Sequence, residues 1–240
     1  MSPHYKVHRI YKKTLLGITE PVSCTLGGIL KRDNLESPYC VYNELVALRL
    51  AQTIHIPVAT GVLAAAEGRE GYASIELALP GLRLPDLLPT QFDAAKSNYP
   101  DEAASLVVFD IFIGNWDRGS NLKVSFVSPQ FSIFQGFDHE HALLGVESDP
   151  IESIRSLGGT NLIVKSHPFY GSLDLMQILK WIERINEMND SMIHECCVLG
   201  RRLGSVTVEM QRSLADALCK RKNNLKDLIV ENMQFLQQWK

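Results

Sequence analysis

Long apolar runs are missing from this sequence. No stretch approaches the ~20 consecutive apolar residues that a membrane span needs, so no membrane role is expected. An excess of either charge is missing too. The 24 Lys and Arg against 27 Asp and Glu leave a net charge of −3, without the electrostatic footprint of a nucleic-acid or anionic-membrane binder. The five cysteines are an odd number, include the adjacent Cys196 and Cys197, and show no CxxC spacing, which argues against a zinc ribbon or redox motif. Reduced thiols in a cytoplasmic protein are the economical expectation. The start, Met1 to Lys13, is basic and polar with no apolar h-region after it, so a secretory signal is not expected. Internal repeats and low-complexity tracts are lacking as well.

What is present is apolar material, 45% of 240 residues, enough for one large domain or two small lobes. The N-terminal third reads as strands plus one helix. Pro21 to Leu26 alternates, Gly27-Gly28 signals a two-residue hairpin, and Ile29 to Arg32 returns. Ser37 is the expected N-cap of an amphipathic helix from Tyr39 to about Thr53, which Pro57 ends. Gly61–Ala66 and Tyr72–Ala78 form a second expected strand pair across the polar turn 67–71. Pro80-Gly81 and Pro85 mark a linker, beyond which the chain becomes mostly helical. A buried helix is expected over Asp101–Gly114, two short strands over 122–127 and 131–135, and helices near 172–189, 190–203, 207–221 and 223–238.

The most informative segment is Ile113-Gly114-Asn115-Trp116-Asp117-Arg118-Gly119-Ser120-Asn121, followed after a short strand pair by Phe137-Asp138-His139. Its order of Asp, Asn and Asp suits phosphoryl transfer. One carboxylate orients or deprotonates a hydroxyl, while an amide oxygen and a second carboxylate hold magnesium against ATP phosphates. Arg118 either neutralises a phosphate or holds the loop through an ion pair. His139-Glu140-His141 lacks the helical i, i+4 geometry of zinc hydrolases, and no GxSxG nucleophile elbow occurs. Cys196-Cys197, Trp181, Phe235 and Trp239 read as packing residues.

The sequence of a hairpin, a lysine, a helix glutamate, an NxDR loop and a later FD element resembles the HipA-like kinases, within the wider protein-kinase-like and phosphatidylinositol-kinase-like superfamily. Motifs carry the likeness over residues 10–145 and helical character carries the rest. The resemblance is to compact members lacking the extra N-terminal subdomain of the larger HipA toxins. It implies an α+β, two-lobed protein-kinase-like fold: a small β-rich N-lobe with one helix over 1–79 and a larger, mostly α C-lobe over 80–240, together one kinase-like domain.

The same resemblance implies ATP and Mg2+ as cofactors. Asp117 matches the catalytic Asp, and Asn121 and Asp138 match the magnesium ligands. Lys31 matches the lysine on the α/β-phosphates, Glu44 its ion-pair partner. The turn with Gly17 and Thr19 stands where the family places its phosphate-covering loop, and Glu76, Leu77 and Ala78 where adenine meets the hinge backbone. The chain departs from the pattern in three places. Asp117 and Asn121 are four residues apart where five is usual, Gly17 stands without GxGxxG, and either Lys31 or Arg32 faces the phosphates.

The expected activity is transfer of the γ-phosphate to a Ser/Thr hydroxyl of a protein. The alternatives are a degenerate kinase-fold binding module acting through a partner, and a kinase for a small molecule or lipid head group. An antitoxin-like partner is implied by analogy alone; direct contact with nucleic acid is not expected.

Overall fold

The computed structural model describes residues 7–14, 22–75, 86–128, 131–171 and 173–237. In chain order the elements are β1 (Val7–Thr14), β2 (Val22–Leu26), β3 (Gly28–Lys31), α1 (Cys40–Ile54), β4 (Gly61–Ala66) and β5 (Arg69–Ile75), then α2 (Phe92–Asn98) and α3 (Pro100–Ile113). They continue with β6 (Leu122–Ser128), β7 (Phe131–Gly136), α4 (Pro150–Leu157), α5 (Leu175–Asn186), α6 (Asp190–Cys197), α7 (Val208–Glu231) and α8 (Met233–Gln237). The architecture is mixed, with small sheets first and helices dominating after residue 86. The 79/80 lobe boundary, the linker around Pro80-Gly81, and Gly17, Thr19, Glu76, Leu77 and Ala78 lie outside the described residues.

The strands form three antiparallel sheets among the described residues: β1–β2, β3–β5–β4 and β6–β7. This overturns the hairpin expected at Gly27-Gly28. β2 pairs backwards with β1, while β3 pairs forwards with β5 in the register Lys31↔Tyr72. The glycines mark a strand leaving one sheet for another. A Cβ on Gly28 would stand 2.9 Å from the Ser74 carbonyl oxygen, so close backbone approach, not a turn, explains the missing side chain. The β4–β5 hairpin closes at Glu67-Gly68, so β5 begins three residues before the expected Tyr72.

Helix α1 starts one residue after the expected Tyr39, but Ser37 does not cap it. Tyr39 occupies the cap position, and the Val41 N–H donates to Asp33 Oδ1 at 2.9 Å. A carboxylate from eight residues upstream fills the role that sequence spacing gave to Ser37. Helices α2 and α4 arise where no periodic signal was read. The expected break near residue 222 is absent, and α7 runs unbroken from Val208 to Glu231. Asn223 is exposed there, where a weak helix former costs only a few tenths of a kcal/mol. The helix expected over 190–203 instead ends at Cys197, and Gly200 follows with φ 70°.

The core is built on α3. Every residue from Ala103 to Ile113 is buried, because the helix packs against α2, α5 and α7 and no face is left for water. Arg221 of α7, itself buried, donates Nε to the Ile111 carbonyl at 2.9 Å near the C-terminus of α3. Burial lowers the Arg221 pKa to about 10, and the partial negative charge of the helix end supports its cation. We predict that Phe109→Ala, which empties a fully buried ring site, lowers unfolding free energy by about 3–5 kcal/mol in urea titration. A loss below ~1 kcal/mol would mean that α3 is not the packing centre.

Candidate active site

The loop that follows α3 leaves the helix through Gly114 in the left-handed region, φ 73°. A Cβ at Gly114 would lie 2.8 Å from Val146 Cγ2 and 3.0 Å from Leu157 Cδ2, so the loop can sit on this floor only without a side chain. The loop is then held from inside the core. Asp110, wholly buried in the last turn of α3, accepts from Arg118 Nε at 2.8 Å, Arg118 Nη2 at 2.9 Å and Asn115 Nδ2 at 3.0 Å. His167 Nε2 lies 3.1 Å from the same carboxylate. Burial alone would raise the Asp110 pKa, but the Arg118 charge and the bonds from Arg118 and His167 outweigh it and hold the carboxylate ionised. His167 Nδ1 accepts the Phe169 N–H at 3.1 Å, so Nε2 carries the ring proton toward Asp110. Burial keeps that imidazole neutral, its pKa below the ordinary value.

Arg118 has two further bonds, and they decide between its two sequence-level readings. Nη1 donates to the Asn121 carbonyl at 3.0 Å and to the Phe137 carbonyl at 2.7 Å. Phe137 N–H in turn donates to Asn121 O at 3.1 Å. The guanidinium is fully buried, so it holds the loop and is not presented to a phosphate. Through it the segment bearing Asp117 and Asn121 is fixed against the segment bearing Asp138.

The four-residue spacing has a definite geometric result. Asn121 Nδ2 donates to the Asp117 carbonyl at 2.7 Å and lies 3.3 Å from Asp117 Oδ2. The donor end of the amide is thereby tied to Asp117, and Oδ1 keeps only a long 3.5 Å contact from Ser120 Oγ. An acceptor oxygen held in this way is available to a cation.

Lys31, Glu44 and Asp138 converge. Lys31 Nζ lies 2.5 Å from Glu44 Oε1 and 2.8 Å from Asp138 Oδ1. Arg32 turns the other way, to the Ala66 carbonyl and Glu67. The alternation of β3 thus gives Lys31, and not Arg32, to the cluster. Glu44 is closed from its other side by His139 Nδ1 at 3.2 Å from Oε2. Burial would raise the Glu44 pKa, but the His139 bond and the His139 and Lys31 charges bring it down to about 2. Burial likewise works against the Lys31 cation, and Glu44 and Asp138 overcome it to raise its pKa. Asn43, the neighbour of Glu44 on α1, donates to the Glu140 carbonyl at 2.9 Å and accepts the Leu144 N–H at 3.3 Å. Two adjacent α1 residues therefore grip both sides of the Asp138 segment.

Asp138 itself adopts φ 58°, a conformation that short polar side chains tolerate better than most. Its Oδ1 is buried and is matched by the Lys31 ammonium at 2.8 Å. A carboxylate at the edge of a small cavity lined by Lys31, Glu44, Tyr72 and Phe137 suits a hard cation such as Mg2+. Among the described residues no group of three or more His, Cys, Asp or Glu is arranged to hold a metal, so the amide oxygen of Asn121 would have to serve with Asp138. The two histidines of the His139-Glu140-His141 run diverge: His139 is buried against Glu44, while His141 lies against Trp116 with ring centroids 4.8 Å apart.

Asp110, Asn43 and His167 were not singled out from sequence. Asp110 alone left a readable signal, as one acid inside an otherwise apolar helix that must find buried partners. His167 left none, because its contact spans 57 residues.

No protein-family model matches the sequence, and none of the curated proteins matches it. Solved structures do. The chain superimposes with TM-score 0.61 on a proinflammatory kinase from Helicobacter pylori, CtkA, over 94% of this chain and 96% of that one, at 16% identity. The fold is that of the HipA-like kinases. HipA of Shewanella oneidensis, solved with HipB and operator DNA, matches with TM-score 0.59 at 13% identity. The match covers 92% of this chain and 62% of that HipA, so this HipA-like fold spans under two thirds of the Shewanella protein's length.

The buried carboxylate can be tested directly. Asp110→Ala leaves Arg118 buried without its counter-charge and should cost about 3–5 kcal/mol in chemical denaturation. Arg118→Lys, which keeps the charge but loses the two-pronged contact, should cost less than that yet remain destabilising. Acid stability should fall in two stages. The neutral His167, with its pKa lowered, makes folding less favourable as pH drops below the ordinary 6.5. The Glu44 contribution is complete above the ordinary 4.5 and is lost as pH falls toward about 2. Glu44→Gln should shrink the lower stage, to which the buried Asp110 also contributes, while leaving the upper one, as read by thermal midpoints against pH.

Proposed function

We propose that the protein is an ATP- and magnesium-dependent phosphotransferase acting on a Ser or Thr hydroxyl of a protein. One observation carries the reading. Lys31, Glu44 and Asp138 meet in a single ion-pair cluster, and Arg118 fixes that cluster's Phe137-Asp138 segment to the loop bearing Asp117 and Asn121. The likeness to CtkA and HipA supports it at the level of the fold.

In this reading Lys31 binds the α- and β-phosphates, and Glu44 holds the lysine in place when ATP enters. Asn121 Oδ1 and Asp138 would hold magnesium, which would supply positive charge against the phosphates. Asp117 orients the acceptor hydroxyl and receives its proton. The acceptor oxygen forms a new bond to the γ-phosphorus as the bond to the ADP oxygen breaks. The turn with Gly17 and Thr19 covers the phosphates through its backbone N–H groups, and the backbone around Glu76 and Ala78 receives adenine. Asp117, Asn121 and Asp138 contribute mainly by position and charge, since phosphoryl transfer asks little covalent chemistry of the protein.

The 1–79 and 80–240 units are proposed as the two lobes that enclose this site. Among the described residues no helix is long and apolar enough to cross a membrane, and a cytoplasmic location belongs to the same proposal. An antitoxin-like partner is also part of it, by analogy with the HipA solved with HipB. With a net charge of −3, contact with nucleic acid would come through such a partner.

The alternative, a kinase-fold binding module without transfer, draws on the four-residue Asp117–Asn121 spacing and the lone Gly17. Thermal melts separate the two readings. Saturating ATP with magnesium, at about 100 times Kd, should stabilise the fold by about 2.7 kcal/mol. Asp138→Asn should remove the magnesium-dependent part of that shift. Asp117→Asn should keep the shift and cut phosphate transfer about 10²–10⁴-fold. A midpoint that ATP and magnesium do not move would sink the nucleotide-binding reading. A moved midpoint with no transfer would leave the binding module.

A further inference from the structure

A second concavity opens beside Asp117. An open groove of about 710 Å³ has Trp116 at one end, Val146, Leu162 and Ile163 as its apolar floor, and Asn161 and Asn232 among its walls. It adjoins the loop that carries Asp117. Trp116 is the residue before Asp117, and its ring lies against His141, three residues after Asp138. Gly114 lets the Asp117 loop rest on Val146 and Ile163, the groove floor itself. His167, at the end of the segment that forms one wall, is fixed to the same Asp110 carboxylate that holds Arg118. Groove and loop are therefore registered to one buried group.

We propose that this groove binds the phosphate acceptor, and that the acceptor is a polypeptide segment whose Ser or Thr is delivered past Trp116 to Asp117. The proposal rests on the phosphotransfer reading and deepens it. Three features select a polypeptide. The segment 161–166 is neither helix nor strand, and among the described residues none of its backbone N–H groups donates to a backbone carbonyl. A row of unused donors is what an incoming peptide backbone can pair with. The floor offers apolar side chains for residues flanking the hydroxyl, and the Asn161 and Asn232 amides offer both donors and acceptors. Charge argues against an anionic small molecule or lipid head group, because among the described residues the lining holds one cation, Lys165, opposed by one anion, Glu147.

The test uses the full chain, radiolabelled ATP with magnesium, and an array of short peptides containing Ser or Thr, with glycerol, free serine and inositol as small-molecule acceptors. The best peptide is then titrated against wild type, Asn161→Trp, which fills the groove from an exposed rim position, and Leu162→Glu, which alters its floor. The expected result is labelling of peptides in preference to the small molecules, and a rise in peptide KM of about tenfold or more in both variants with the KM for ATP unchanged. An unchanged peptide KM in folded Asn161→Trp overturns the proposal, as does wild-type labelling of a small hydroxyl compound but no peptide. An unchanged peptide KM leaves the ATP–magnesium midpoint shift and the phosphotransfer reading standing, whereas labelling of a small hydroxyl compound alone keeps phosphotransfer but withdraws its protein acceptor. A chain that neither shifts with ATP nor transfers phosphate overturns both.

Discussion

The buried carboxylate of Asp110 is the constraint on which the active-site geometry depends. A charge taken out of water in the last turn of a buried apolar helix is tolerable only if its oxygens are fully matched. Asp110 meets that demand with Asn115, Arg118 and His167, each from a different point along the chain. Arg118 then has donors left over and directs them to the Asn121 and Phe137 carbonyls. Satisfying one acid thus sets the loop that follows α3, the approach to Asp138 and one wall of the adjacent groove.

Helix α1 supplies the second fixed point. Glu44 receives Lys31 from the β3–β5–β4 sheet and His139 from the segment after β7, while Asn43 holds the backbone beyond it. Asp138 is held between these two anchors in a left-handed conformation, with its buried carboxylate oxygen against the Lys31 ammonium. Backbone strain at such a residue persists only where the surroundings over-determine the position. It marks a place arranged for something other than stability.

The likeness to two solved structures at 13–16% identity has a physical reading. A backbone path asks of most positions only the right polarity and volume, so sequence can drift while the path stays.

The sequence alone was a good guide wherever the cause is local. The buried helix of residues 100–113 is written in its apolar run, and Asp117, Asn121 and Asp138 stand out as an ordered set of polar groups in the chain itself. The sequence misled where a local signal had two physical causes. Gly27-Gly28 suits a turn or a close strand crossing, and only the pairing of β3 with β5 selects the crossing. Ser37 suits a cap by spacing, yet it is Asp33 that accepts the Val41 N–H. The remaining decisions belong to tertiary structure. Lys31 and Arg32 are neighbouring cations with no local signal between them until the strand's two faces are assigned, one to Glu44 and Asp138, the other to Glu67. The short Asp117–Asn121 spacing decides nothing by itself; the amide's tie to the Asp117 carbonyl is what leaves its oxygen available. Asp110 and His167 stand 57 residues apart, and no pattern in the chain links them. Local composition fixes which groups are on hand for the chemistry. Which of them meet is set by the burial of charge, a requirement that only the folded interior imposes.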